Sequence, residues 1–92
     1  FPKSVYTTDA KLHMVYLRNV MADHELKIAQ FYMMRKAYIA AANRASEVVQ
    51  HFQQSPAVPA ALLIMAQAYA HLGLTDLSDQ TLKMYHFNHY GS

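Results

Sequence analysis

Residues 60–77 read AALLIMAQAYAHLGLTDL, and this stretch decides the fold because it holds an apolar helix, its end and the start of another helix. Small and apolar residues fill almost every position up to His71, which is typical of a helix packed between two others. Gly73 lies where the apolar run stops, and glycine readily adopts the left-handed backbone conformation that ends helices. Thr75 then supplies a capping hydroxyl for the next helix. The stretch therefore predicts a helical hairpin.

The residues on either side set the expected limits of this hairpin. Ser55 and Pro56 are expected to begin its first helix, because serine caps helices and proline is tolerated in the first turn. Its second helix is expected to run from Thr75 to about Tyr85, with the remaining tail fraying. The face of that helix expected to point inward consists of Leu74, Leu77, Thr81 and Met84.

The first half of the chain predicts a second hairpin that contains one long helix. No proline or glycine lies between Lys3 and Ser55. Apolar or small residues recur in steps of three and four from about residue 6 to 35, which predicts a helix roughly 45 Å long at 1.5 Å per residue. A shorter helix is predicted over residues 37–52.

The long helix has an expected start and an expected buried face. Its N-terminal capping residues are predicted to be Thr7, Thr8 and Asp9. The face predicted to be buried consists of Ala10, Met14, Leu17, Met21, Ile28 and Tyr32.

An internal repeat indicates how the two hairpins are arranged. FPKSVYTTDAKLHM (residues 1–14) and FQQSPAVPAALLIM (residues 52–65) share five residues at an offset of 51. Such self-similarity indicates stacked helical units that cover one another's apolar faces. Ala68-Tyr69 followed by Leu72-Gly73 is typical of a tetratricopeptide hairpin. We therefore predict an all-α, tetratricopeptide-like stack of two antiparallel hairpins, forming a single domain over residues 1–92.

The composition argues against several classes of function. The 92 residues carry a net charge of +2 without a basic run, so we expect no nucleic-acid partner. The absence of cysteine excludes disulfides and thiolate metal sites. His24-Glu25 resembles the start of a zinc-protease motif, but Ile28 stands where the second histidine is required. We therefore expect no enzyme, and no catalytic residue, cofactor or metal site.

One polar face could bind a partner. Arg44 lies on the polar side of the predicted second helix, together with Asn43, Glu47 and His51. The planar guanidinium group can make two parallel hydrogen bonds to a carboxylate of another protein. The more ordinary interpretation is that an exposed arginine only pairs weakly with Glu47 on its own helix. The spacing alone leaves both interpretations open.

Glu25 interrupts the apolar face of the long helix. It fills the gap between Met21 and Ile28, where an apolar residue is expected. Because burial of an isolated carboxylate is costly, Glu25 needs a partner or a position at the rim of the core. The candidate partners are Arg18 and the hydroxyl group of Tyr69.

Six short segments carry a resemblance to a known family. They are YTTDA (6–10), YLRN (16–19), HEL (24–26), IAQFY (28–32), AANR (41–44) and AYAHLGLTDL (68–77). Over essentially its whole length the chain resembles the C-terminal repeats of the BamD (ComL) family, lipoproteins of the outer-membrane β-barrel assembly machinery. Relatives often carry glycine in the turn after the long helix, where this chain has Lys36, which would have to adopt a left-handed backbone.

The resemblance implies a function. A member of this family is a non-catalytic scaffold at the periplasmic face of the outer membrane of a Gram-negative bacterium. It docks BamA through the membrane-proximal POTRA domain of BamA and also binds accessory Bam lipoproteins. The arginine of the family's Asn-Arg pair contacts BamA, and it corresponds to Arg44. The partner-binding residues are thus expected to be Arg44, Asn43, Glu47 and His51.

Further expectations concern the extent of the protein. Residues 1–92 would be the C-terminal tetratricopeptide domain of a longer lipoprotein, whose N-terminal lipid anchor is absent from this sequence. We expect such a fragment to self-associate partially through the exposed face of its first helix. The alternative function is that of a generic tetratricopeptide adaptor, which would bind another protein or peptide in a concave groove lined by the first and third helices.

Overall fold

Two helical hairpins follow one another along the chain. The computed structural model describes the backbone of residues 3–91 and the side chains of residues 11–87. The helices are α1 (Lys3–Met34), α2 (Tyr38–His51), α3 (Val58–His71) and α4 (Thr75–Gly91). No strand occurs in the described backbone. The structure confirms the predicted all-α class and the two antiparallel hairpins, α1–α2 and α3–α4.

The helices pack in chain order. α1 packs on α2, α2 on α3 and α3 on α4, with a smaller contact between α1 and α3. The described molecule measures 56 × 28 × 14 Å along its principal axes. The long dimension belongs to α1, because 32 residues at 1.5 Å per residue extend about 48 Å.

Alanines form much of the core. The largest fully buried side chains are Leu62 and Val48, and they lie among small residues on neighbouring helices. Small side chains let helix backbones approach closely. The alanines with no exposed surface are Ala22, Ala29, Ala41, Ala45, Ala61 and Ala68.

The predicted buried face of α1 is wrong from Met14 to Met21. Met14, Leu17 and Met21 are each about half exposed, whereas Ile28 and Tyr32 are half-buried. Ala10 lies outside the described side chains. For Met14 and Leu17 the reason is length, since α2 and α3 have 14 residues each and cover only the C-terminal half of the 32-residue α1. Met21 lies within the covered half, but its neighbour Ala22 takes the buried position there. The buried face there consists of Ala22, Leu26 and Ala29.

The predicted helix starts also need correction. α1 begins at Lys3, so the expected capping residues Thr7, Thr8 and Asp9 lie inside the helix. α3 begins at Val58 and not at Ser55-Pro56. Ser55 still stabilises this start, because its buried Oγ accepts a hydrogen bond from the backbone N–H of Ala57 at 3.1 Å.

The internal repeat does not coincide with a repeat of structure. Ser4 lies within α1, whereas its counterpart Ser55 lies in the linker before α3. Residues 51 positions apart in the sequence therefore do not occupy equivalent positions in the two hairpins.

The turns that close the two hairpins have the same hydrogen-bond pattern. The N–H of Ala37 donates to the carbonyl of Tyr32 at 2.9 Å, and the N–H of Leu74 donates to that of Tyr69 at 2.9 Å. This six-to-one bond accompanies a left-handed residue at the preceding position. Gly73 fulfils this role with φ 79°, as predicted, and Lys36 does so with φ 62°. Lys36 therefore does adopt the left-handed backbone that the resemblance required of it.

The inward face of α4 differs from the prediction. Leu74, Leu77 and Met84 are each 42–47% exposed, and among the four predicted residues only Thr81 is buried. Ser78 shares the buried face, and its Oγ donates to the carbonyl of Ala66 on α3 at 2.9 Å. Small hydroxyl residues face α3 because they allow close packing and can satisfy their own hydrogen bonds with backbone carbonyls. α4 also continues to Gly91, beyond the predicted end near Tyr85.

Candidate functional site

The polar residues predicted to bind a partner lie on one side of α2. Their spacing within Tyr38–His51 puts them on neighbouring turns of one helix. Asn43, Glu47 and His51 are exposed. The side chain of Arg44 retains 41% of its accessible surface. All four side chains can therefore be reached from solvent.

Arg44 is held by a residue of α1. Its Nη1 donates a hydrogen bond to Oε2 of Glu25 at 3.2 Å, and Glu25 is less exposed than Arg44. Glu25 therefore has Arg44 as its partner, and neither Arg18 nor Tyr69, the two predicted candidates. Among residues 11–87, the other guanidinium nitrogens of Arg44 make no hydrogen bond. One edge of the guanidinium group is fixed, and the rest remains open.

The local charges keep Arg44 ionised. The hydrogen bond with Glu25, followed by the negative charge of Glu25, raises the pKa of Arg44 above its ordinary value. Desolvation opposes this rise in pKa less strongly than Glu25 drives it, and the charge of Glu47 adds a still smaller contribution in the raising direction. Arg44 thus presents a permanent positive charge beside two carboxylates.

A cleft lies beside this ion pair, between α1 and the C-terminal half of α2. It has a volume of about 460 Å³. We call it the Met21–Phe52 cleft. Its lining residues are Val20, Met21, His24 and Glu25 from α1, and Glu47, His51 and Phe52 from α2 and its C-terminal end. The cleft therefore shares Glu47 and His51 with the predicted site, and Glu25 with the ion pair.

A second cleft, of about 510 Å³, lies on another side of Phe52. Val15, Arg18 and Asn19 of α1 line one wall, and the linker residues 52–55 line the other with the end of α2. Neither of these two clefts is lined by a residue of α3. Both lie along α1, beside α2 or the linker that follows it.

Two other kinds of site are absent from the described part of the chain. No group of three or more histidine and acidic side chains is arranged to hold a metal ion there. Within the same residues, no helix combines the length and the apolar character that crossing a bilayer requires.

Sequence reasoning missed the contribution of α1 to this site. Glu25 and Arg44 lie at comparable distances from the turn at residues 35–37, on two antiparallel helices. Their similar distance from the turn and their opposite charges could have predicted that Glu25 and Arg44 form an ion pair. Met21 was assigned to the core, so its place beside the polar side of α2 was not expected.

Comparisons with known proteins support one family. The sequence profile of the YfiO family, described as an outer membrane lipoprotein, matches residues 1–84. The outer membrane protein assembly factor BamD of Haemophilus influenzae is 40% identical over 84 residues, which cover 91% of this chain and 32% of that protein. BamD of Neisseria meningitidis is 39% identical over 88 residues, covering 96% and 33%, respectively. BamD of Vibrio cholerae is 38% identical over 88 residues, covering 96% and 36%. The chain thus spans about a third of the length of these curated relatives.

Proposed function

The chain belongs to the YfiO family of outer membrane lipoproteins, which includes the BamD assembly factors, and on this basis we propose that it is a scaffold segment for the assembly of outer-membrane proteins. It catalyses no reaction and acts by holding partner proteins in place. Two stacked hairpins suit this role, because each presents a rigid helical face to solvent.

The proposed principal partner is BamA, bound through its membrane-proximal POTRA domain, with accessory Bam lipoproteins as further partners. The proposed contact residues are Arg44, Asn43, Glu47 and His51. The site works at the periplasmic face of the outer membrane, within the C-terminal tetratricopeptide domain of a longer lipoprotein that is anchored by an N-terminal lipid.

The observation that carries this proposal is the geometry of Arg44. Glu25 fixes one edge of its guanidinium group at 3.2 Å, while 41% of the side chain stays exposed. An arginine ordered before binding loses less conformational entropy when it meets a carboxylate of a partner. Arginine is also among the residues that most often dominate the affinity of protein interfaces.

Isothermal titration calorimetry of the full-length protein with the cognate POTRA domain tests the proposal. We expect Arg44→Ala to weaken binding by about tenfold or more, as is common for a central interface arginine. Arg44→Lys keeps the positive charge but loses the planar guanidinium group, so its affinity for the POTRA domain should lie between those of wild type and Arg44→Ala.

Arg35→Ala provides the matched control. Arg35 is an exposed arginine near the end of α1, and its guanidinium carbon lies 5.4 Å from the centre of the Phe31 ring. Its removal should leave the affinity unchanged. Equal affinities for wild type and Arg44→Ala, with both proteins folded by circular dichroism, would refute the assignment of Arg44.

A further inference from the structure

The Met21–Phe52 cleft combines apolar and acidic lining residues. Val20 and Met21 of α1 face Phe52 across it, and all three side chains are partly exposed. Glu25 and Glu47 line the same cleft. A ligand placed there would contact hydrocarbon and aromatic surface as well as carboxylate oxygens.

The charges around the cleft do not cancel. Arg44 neutralises Glu25, to which it donates its hydrogen bond. Glu47 is exposed, and no hydrogen bond or ion pair holds its carboxylate within residues 11–87. With the histidines neutral, two carboxylates face one guanidinium group, which leaves one net negative charge.

We propose that the Met21–Phe52 cleft takes a lysine or arginine side chain of the partner protein that docks on Arg44. The aliphatic stem of such a side chain packs against Met21 and Phe52, and its cationic end reaches Glu47. Long basic side chains commonly bury their stems on apolar surface while their charge stays in water. The ring of Phe52 adds a favourable face for a cation.

This inference rests on the proposed function and extends it. Arg44 offers a positive charge to a carboxylate of the partner, and Glu47, one helical turn away, offers a negative charge to a base. A partner must then present an acid and a base at matching spacing. Such paired charges select the correct partner and fix its orientation more than they raise affinity.

The test measures binding of the same POTRA domain to the full-length protein. Glu47→Gln should weaken binding about fivefold, and Glu47→Lys should weaken it about twentyfold or more, because a repulsive pair replaces an attractive one. Asp23→Asn removes the same charge outside the cleft, where Asp23 pairs with Lys27 at 3.3 Å. This control should leave the affinity unchanged.

The apolar part of the cleft has its own matched pair of variants. Met21 and Met14 are 56% and 54% exposed on the same helix, but only Met21 lines the cleft. Met21→Ala should weaken binding about threefold, because the partner's stem loses apolar contact. Met14→Ala should have no effect on the affinity.

Charge reversal identifies the partner residue. Each exposed lysine or arginine of the POTRA domain is changed to glutamate in a separate variant. The affinity of each POTRA variant for the Glu47→Lys protein is then measured. One of these changes should restore most of the lost affinity. A general effect of Glu47 on the stability of α2 would not be rescued in this way.

The outcomes separate the two proposals. If Arg44→Ala weakens binding while Glu47→Gln behaves like Asp23→Asn, the cleft proposal is overturned and the proposed function stands. Tighter binding by Glu47→Gln would also overturn the cleft proposal, since it would mean that an acidic group of the partner, and not a basic one, faces the cleft. If neither Arg44→Ala nor Glu47→Gln changes the affinity, both proposals fail.

Discussion

Replacement of Lys36 by glycine should stabilise the protein. Lys36 adopts φ 62° in the turn between α1 and α2, and its side chain is exposed. A left-handed backbone costs a residue with a Cβ atom about 1–2 kcal/mol, and glycine avoids this cost. Because the lysine side chain is exposed, little packing is lost in the exchange.

The expected gain is smaller than the strain that is removed. Glycine makes the unfolded chain more flexible, which opposes folding by about 0.4–1 kcal/mol. The difference leaves a net stabilisation of about 0.5–1 kcal/mol. For a domain of this size, that free energy corresponds to a rise in Tm of about 3–6 °C.

The measurement is urea denaturation followed by far-UV circular dichroism. Lys36→Ala is the control, because it removes the same side chain but keeps the Cβ atom, so its stability should stay near that of wild type. Gly73→Ala tests the same two effects, backbone strain in the turn and flexibility of the unfolded chain, with the opposite sign. Gly73 has φ 79°, and apart from its two chain neighbours no residue has an atom within 4 Å of the position a Cβ would take, so only the backbone resists the change. It should destabilise by about 0.5–1 kcal/mol.

The reasoning would be refuted if Lys36→Gly destabilised the protein while Lys36→Ala did not. The turn would then not require a left-handed residue at position 36, and the matching hydrogen-bond patterns of the two turns would have no energetic meaning.

Three further changes test the packing and the site. Leu62→Ala should destabilise the protein by about 2–5 kcal/mol, because the side chain is fully buried. Leu12→Ala, at a position that is 64% exposed, is the control and should change the stability by less than about 0.5 kcal/mol. Thermal denaturation of both variants checks this difference. Ser78→Ala should cost about 1 kcal/mol in urea denaturation, because it removes the buried hydrogen bond to α3 at 2.9 Å. Glu25→Gln replaces the charge-assisted hydrogen bond that orders Arg44 with a weaker neutral one, so calorimetry with the POTRA domain should show binding about threefold weaker, through lost ordering of the arginine. Unchanged or tighter binding would show that the ion pair does not prepare Arg44 for a partner.

The number and type of the helices could be predicted from the sequence because periodicity, proline and glycine act locally. Gly73 ends α3 as predicted, and the residues from Lys3 to Met34 form one helix because no proline or glycine interrupts them. The predicted starting residues of the helices were less accurate. A residue that favours the N-cap position, such as Thr7, can also lie inside a longer helix when the residues before it are helical.

The buried faces of α1 and α4 could not be predicted in the same way. Periodicity shows which face of a helix is apolar, but it does not show whether another helix covers that face. Met14 and Leu17 are exposed because the partners of α1 are short, and Leu77 is exposed because α4 packs through Ser78 and Thr81. These outcomes depend on the lengths and positions of neighbouring elements.

The candidate site was predicted only in part. Arg44 was identified through the family resemblance, and the polar side of α2 through its spacing. Glu25 and Met21 belong to a different helix, and they join the site only because α1 and α2 form an antiparallel pair. A contact across two helices needs their register, which a single sequence does not supply.

The claim that partners dock on the side of Arg44 is tested most directly by NMR. The cognate POTRA domain is titrated into the ¹⁵N-labelled full-length protein, and chemical-shift changes are mapped. We predict the largest changes at Asn43, Arg44, Glu47 and His51, with smaller changes at Met21. Changes concentrated between α1 and α3, or on the exposed Leu77 and Met84 of α4, with the polar side of α2 unaffected, would contradict the account.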